Sequence, residues 1–317
     1  MVSSPEPGAP PGVCARIPFD FLLGEIRLLR VWLKGEQREG GGVFDEPFDT
    51  IPVPKRTDPA PAVYLYSLPV TRVPAVLTRR EGWYLYTPSW YRHYYLRTNL
   101  PFDRYVATLG AKTRSTLRRK LRRIAATNRA GTFRVFSTPE RMAAFHEQAA
   151  SLAATTYQHR LFGTGLPAHN DYREQITALA RRGEFYGFIL YVNDRPAAYT
   201  ACPVIRPHVA LYDYTGYDPV QAVFSPGIVL QYSIIEYFCG NPAIEWYDLC
   251  TGEGEHKTLF TSTWKLCCNT YLLRASVPAL LLVSAHRVLN AITTAVAALL
   301  DSMRLKGRVK RLVRRGG

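Results

Sequence analysis

Eight consecutive uncharged residues, Phe185 to Val192, lead into Asn193-Asp194-Arg195 and then into a second apolar run, Ala197 to Val204. Aromatic and branched side chains bounded by an Asn-Asp turn read as strands joined by a tight hairpin. A third run, His208 to Thr215, extends the pair into an antiparallel meander. The rest of the chain must cover this meander. Before it stand a short strand at Phe133 to Phe136, a helix over Pro139 to Thr155 and a second helix over Asp171 to Arg182. The first of these helices has Met142, Phe145, Ala149 and Leu152 on its buried side. After the meander come a helix from Gly227 to about Cys239, a strand at Ile244 to Asp248 and a last strand at Thr270 to Leu273. Grouped strands with flanking helices imply an α+β sandwich rather than a doubly wound sheet.

Upstream, Ala62 to Tyr66 and Gly82 to Tyr86 read as strands, and the prolines between Ile51 and Pro74 restrict that stretch to loops and short extended pieces. In Phe19 to Lys34 the residues Leu22, Ile26, Leu29, Trp32 and Leu33 follow helical spacing, so a helix is predicted there. Ala111 to Ala126 is predicted as a helix with Leu117, Leu121 and Ile124 on its buried side, capped by Thr113 or Ser115.

The 317 residues are 47% hydrophobic and 21% charged, which excludes a disordered chain or a coiled-coil rod. The longest apolar stretch, Val277 to Leu300, is interrupted by Ser284, His286, Arg287, Asn290, Thr293 and Thr294, which argues against a polytopic membrane protein. The net charge of +15 is local: residues 111–130 carry eight Lys/Arg, residues 304–315 carry seven, and neither stretch has an Asp or Glu. Each suits an anionic partner. Pro278 to Leu312 reads as an amphipathic helix with a polybasic end. It suits an anionic membrane surface along 278–315, or packing on its own protein or on a second copy in a homodimer. Met1 to Pro11 reads as a disordered leader with no signal peptide, and the six cysteines, in no metal-ligand spacing, read as reduced thiols of a cytoplasmic protein without a metal.

Two stretches concentrate chemistry. In Ser225-Pro226-Gly227-Ile228-Val229-Leu230 a proline suited to the first helical turn precedes a glycine, and the amides from Gly227 to Leu230 make an anion-binding helix start. An ordinary capped helix with Ser225 as cap is the plainer reading. In Tyr247 to Lys257 a strand ends in Asp248 and runs into Gly252-Glu253-Gly254-Glu255-His256-Lys257, a dense set of titratable groups. Its plainer reading is a solvated loop. His146 and His159 read as packed or surface histidines, and the cysteines as poor nucleophiles for want of a basic setting.

Over about residues 105–275 the sequence resembles the GNAT acyltransferase superfamily, in the branch that accompanies bacterial cellulose and exopolysaccharide synthesis. The resemblance rests on the basic run Lys112-Thr113-Arg114-Ser115-Thr116-Leu117-Arg118-Arg119 and on the strand pair Phe188 to Ala201. It rests also on Gly216-Tyr217-Asp218 leading to Ser225-Pro226-Gly227, and on Asp248 through Glu253 to Lys257 and Phe260. It implies an acyl-CoA co-substrate, most simply acetyl-CoA, with its pyrophosphate on the backbone of Phe224, Ser225, Pro226, Gly227, Ile228 and Val229. Gln221 would supply the first position of the family's Arg/Gln-x-x-Gly-x-Gly/Ala pattern, although Val229 stands where a small residue is usual. The implied bases are Asp248 and Glu253, with Asp213 in reserve and Lys257 as partner or substrate anchor. Tyr157, Tyr212, Tyr214, Arg118 and Arg119 would line the acceptor site. The implied acceptor is an amine or hydroxyl of an envelope sugar or lipid-linked sugar.

The expected architecture is two GNAT-like lobes with a mixed, mostly antiparallel sheet flanked by helices. A leader (1–14) precedes a degenerate lobe (15–130), a catalytic lobe (131–275) and the C-terminal basic helix (276–317). Two rivals stand beside this reading. One is a Fem-type aminoacyltransferase that uses aminoacyl-tRNA. The other is an inactive GNAT-like protein that binds a membrane surface.

Overall fold

A computed structural model of the chain describes residues 15–23, 26–40, 43–55, 60–127, 132–155, 165–250 and 254–302. In order these form β1 (Ala15–Leu23), β2 (Ile26–Glu39), β3 (Ala62–Pro69), β4 (Leu77–Arg80), β5 (Trp83–Arg97), α1 (Phe102–Thr108), α2 (Ala111–Ala125) and β6 (Phe133–Phe136). They continue as α3 (Met142–Thr155), α4 (Asn170–Arg181), β7 (Phe185–Val192), β8 (Arg195–Arg206), β9 (Val209–Leu211), β10 (Thr215–Tyr217) and α5 (Pro226–Cys239). The chain ends with β11 (Trp246–Asp248), the single turn α6 (Glu255–Thr258), β12 (Trp264–Arg274) and α7 (Val277–Ser302). Two compact units result. The first takes the residues up to His93 and again from Lys265, and the second runs unbroken from Tyr94 to Trp264. The basic helix α2 lies within the second unit.

In the second unit the strands run in the order β5 (its last residues), β11, β9, β8, β7, β6, with β10 also on β8. All pairs are antiparallel except β9 with β11. Strand β7 is buried along its whole length. Its Phe188, Leu190 and Val192 enter one core with α5, and its Phe185, Ile189 and Tyr191 enter another with α3 and α4. Burial on both faces explains the unbroken apolar run. Gly187 lets α3 close on the sheet, because a Cβ there would stand 2.6 Å from the Phe145 ring. The turn that opens β8 puts Asn193 and Asp194 at φ of 52° and 56°, a left-handed pair suited to a two-residue hairpin. Helix α2 buries Leu117 and Ile124 as its spacing predicts. It starts at Ala111 behind Gly110 with no side-chain cap, so Thr113 and Ser115 fall inside the helix and do not cap its start.

In the first unit the order is β1, β2, β3, β12, β5, with β4 on β5; β2 and β3 run parallel and β1 with β2 and β3 with β12 antiparallel. The helix predicted over Phe19 to Lys34 is instead the hairpin β1–β2, paired from Ala15 opposite Gly35 to Leu23 opposite Ile26. Period-two alternation decides it. Ile17, Phe19, Phe21, Val31 and Leu33 pack into one core with Tyr64, Tyr86 and Leu273, while Trp32, which the helical spacing would bury, falls on the other face and is exposed. Cross-strand Asp20 and Arg30 form a bidentate ion pair, with the closer contact at 2.5 Å.

Candidate active site

The site begins with one surplus residue. Val204 pairs with Ala210 and Thr200 with Thr215. Three residues on β8 therefore face four on the opposite chain, 211–214. A bulge of this kind bends the strand and re-aims a side chain. Around it the chain changes partners: the Tyr212 amide donates to the Asp248 carbonyl at 2.8 Å, and the Asp213 amide then donates to Ala201 at 3.2 Å. The parallel pair β9–β11 stops at Leu211 and Asp248, so the two strands part at this point.

Asp213 sits in the bulge, half-buried, and burial pushes its carboxyl up to about 6. Its charge is felt by Tyr172 on α4, by Tyr199 and Cys202 on β8, and by Cys250. Tyr214 meets Tyr172 edge-on at 5.6 Å, and the Tyr212 hydroxyl donates to Thr215 Oγ1 at 3.1 Å.

Across the parting strands stands a second group. Asp248 is 4% exposed, and its Oδ1 accepts the Cys250 amide at 2.7 Å. Cys250 adopts φ of 62° and its thiol donates to the Tyr212 carbonyl at 2.7 Å, so the turn is tied back to the bulge. Lys257, 6% exposed, donates from Nζ to the Cys250 carbonyl at 3.0 Å. Burial pushes the lysine down, opposed by Cys250 and Asp248, and pushes the Cys250 thiol well up, with Asp248 and Asp213 adding to the rise. The thiol is therefore no nucleophile, as its acidic setting suggests. Asp248 and Lys257 both close on the turn at Cys250, one through its amide and the other through its carbonyl.

The strand that carries Asp213 continues through β10 and a 3₁₀ turn, Pro219–Phe224, to the start of α5. Ser225 there is left-handed, φ 54° and ψ 51°, and makes no side-chain cap. The capped-helix alternative thus fails in its detail. The Ile228 and Val229 amides both turn back to the Ser225 carbonyl, at 3.1 and 3.2 Å, and Pro226 has no N–H. Of the amides expected to face an anion, only that of Gly227 has no partner among the described residues in the first turn. The space beside it is open: a Cβ on Gly227 would meet nothing closer than the Tyr217 ring, at 3.7 Å. Gln221 holds the preceding turn through Asp218 Oδ2 at 3.2 Å, and Val229 is buried.

Charge arrives from α2. Lys120 Nζ donates to Ser225 Oγ, Arg123 donates to the Val223 carbonyl at 3.3 Å, and its guanidinium lies 4.8 Å over the Phe224 ring. Arg118 and Arg119, singled out from the sequence, are exposed. Lys120 lies about 60° from Leu117 around the helix, so spacing places it at the edge of the buried side; Arg123 lies about 120° away, and spacing does not separate it from Arg118. Glu253, Tyr157 and His159 lie outside the described residues. His146 is packed, its Nε2 2.8 Å from the Pro167 carbonyl. Among the described residues no group of three His, Cys, Asp or Glu could hold a metal ion.

Residues 111–258 match the family model described as an acetyltransferase (GNAT) domain. The chain carries a GNAT acetyltransferase domain over those residues, and the helix start, the bulge and the Asp248 turn all fall within it. Curated protein sequences give no match. Among solved structures, the C-terminal domain of a protein assigned as a lysylphosphatidylglycerol synthetase from Agrobacterium fabrum is similar at 15% identity and TM-score 0.48, over 72% of each chain. L-PGS from Bacillus licheniformis is similar at 14% identity and TM-score 0.44, over 72% of this chain and 73% of that one. FemX is similar at 11% identity and TM-score 0.45, over 69% and 73%.

Proposed function

We propose that the protein transfers an acyl group, most simply acetyl, from acyl-CoA to an amine or hydroxyl, by direct attack with Asp213 as general base. The observation that carries this is the short segment that leads from a bulged, half-buried carboxyl through β10 and a 3₁₀ turn to a helix start with an unpartnered Gly227 amide, open space beside it, and Lys120 and Arg123 at its rim. An unpaired amide and two cations suit the diphosphate of coenzyme A. Asp213 is favoured over Asp248 because Asp248 is buried and already accepts the Cys250 amide, whereas Asp213 is half-exposed and binds its proton near neutral pH. Asp213 takes the acceptor's proton as the freed nitrogen or oxygen attacks the thioester carbonyl; the carbon–sulfur bond then breaks and the thiolate leaves. The resemblance to the exopolysaccharide-associated branch supports a sugar or lipid-linked sugar of the envelope as acceptor, and a cytoplasmic site of action.

Acetyl-CoA is expected to raise the melting temperature of the full chain. The Asp213→Asn variant should keep that shift while turnover, followed by release of the free thiol, falls by about 10²–10⁴-fold. Absence of any shift with acetyl-CoA would falsify the reading. Basic side chains beside the helix start also suit the phosphates of an aminoacyl-tRNA. Stabilisation by tRNA that fades with salt, and none by coenzyme A, would move the assignment to that donor.

A further inference from the structure

Helix α7 is amphipathic in an inverted sense. The face that lies on the β1–β2 hairpin carries its polar groups. His286 Nε2 contacts the Asp20 carbonyl at 3.0 Å, its Nδ1 lies 2.5 Å from the Tyr86 hydroxyl, Asn290 Nδ2 stands 3.1 Å from His286, and Thr293 donates to the Leu22 carbonyl at 3.3 Å. These polar groups fall on the same side as buried Val283 and partly buried Ala279 and Leu282. At 100° per residue, Leu281, Val288, Ile292 and Val296 fall on one stripe on the opposite side. Leu281 is 65% exposed, Val288 60% and Ile292 51%. The stretch Val277–Val296 has a mean hydropathy of 1.5, with 11% of it buried. Exposed Leu23 and Leu29 share the helix side of the hairpin tip with Phe21. Contiguous apolar surface of this extent on a folded unit marks a contact face.

The charge of the adjoining sequence says which partner fits. Residues 304–315, which follow the helix, carry seven Lys/Arg and no acid. A second copy carries the same seven basic residues, and like charge opposes the association of two copies. An anionic lipid surface offers apolar depth for the stripe and neutralises the basic segment. We infer that α7 lies flat on an anionic membrane surface, its stripe sunk among the acyl chains and its polar face kept on the hairpin, and so anchors the chain there. The placement is independent of which donor the active site uses.

The test uses the full chain with vesicles of phosphatidylcholine and with vesicles in which about a third of the lipid is phosphatidylglycerol, read by co-sedimentation. The natural protein is expected to bind the second kind and to be weakened by salt. A Leu281→Glu, Ile292→Glu double variant should lose at least about tenfold in binding, with an unchanged melting temperature because both positions face solvent. Three results overturn the inference. The first is no binding by the natural protein. The second is equal binding by the variant, which leaves the basic residues alone responsible. The third is a dimer that the variant splits while vesicles have no effect, which makes a second copy the occupant. None of these touches the acetyl-CoA shift, so the transferase reading fails or stands separately.

Discussion

The carboxyl of Asp213 owes its raised proton affinity to a one-residue excess in a strand. The bulge turns it into half-buried surroundings, where desolvation favours the neutral form and lifts it from 3.8 to about 6. Two consequences can be measured. As a base it must be ionised, so kcat/KM is expected to rise with pH through about 6 and level above it, and the Asp213→Asn variant should lose that step. For stability the sign is opposite. The unfolded chain gives up this proton near its ordinary 3.8, the folded one only near 6, so folding is penalised as pH rises through that window and the penalty persists at neutral pH. Asp213→Asn is therefore expected to raise the melting temperature at pH 7 by a few degrees, measured by calorimetry. In the sequence Asp213 is only a reserve candidate, in the strand that the resemblance makes acyl-facing. The order proposed here, with Asp213 before Asp248, depends on which carboxylate a backbone amide claims, and spacing does not show that. The left-handed Ser225 was hidden for a related reason: serine is a common helix cap, and nothing local shows that its hydroxyl is taken by Lys120 from a distant helix.

Elements whose burial pattern is regular were the easiest to read. Strand β7 follows from its unbroken apolar run, and the helices α3 and α4, which bury one side and expose the other, follow from their apolar period. The β1–β2 hairpin was not readable in this way, because Leu22, Leu29 and Leu33, from both faces, mimic helical spacing with Trp32 and only the partner strand shows which residues turn inward. The docking of α7 on that hairpin depends on His286 staying neutral. Burial lowers its affinity for a proton from the ordinary 6.5, against the pull of the Asp20 carbonyl and carboxylate. The groups around it are the Tyr86 hydroxyl, Asn290, the rings of Phe19 and Phe21, and Asp20, whose carboxylate is held by Arg30; Arg287 lies one residue along the helix. Below pH 6.5 the unfolded chain gains a proton that the folded chain resists, so stability is full above that value and declines as pH falls from it. The helical signal of α7 is expected to melt several degrees lower near pH 5 than near pH 7, and His286→Gln should flatten that dependence in circular dichroism.

For the whole molecule, the apolar cores follow the chain's division. The two cores built on β7 draw every member from Tyr94 to Phe260, and the other two draw none from that stretch. A fragment of residues 94–264 is expected to fold cooperatively by itself and to keep the acetyl-CoA shift. A non-cooperative melt, or loss of the shift, would show that the residues removed are required. Sequence composition had already shown that the basic charge is local, and α2 brings one share of it to the start of α5, where Lys120 and Arg123 stand. At the fragment's two ends, the Tyr95 amide donates to the Thr263 carbonyl at 3.3 Å. A module whose head and tail meet this way can be joined into a ring with a short peptide splice, which would trim the freedom of its unfolded chain while leaving the native fold undisturbed. The same adjacency would let it be transplanted into a surface turn of another scaffold, since the host would need to part its backbone by little more than the spacing of neighbouring strands.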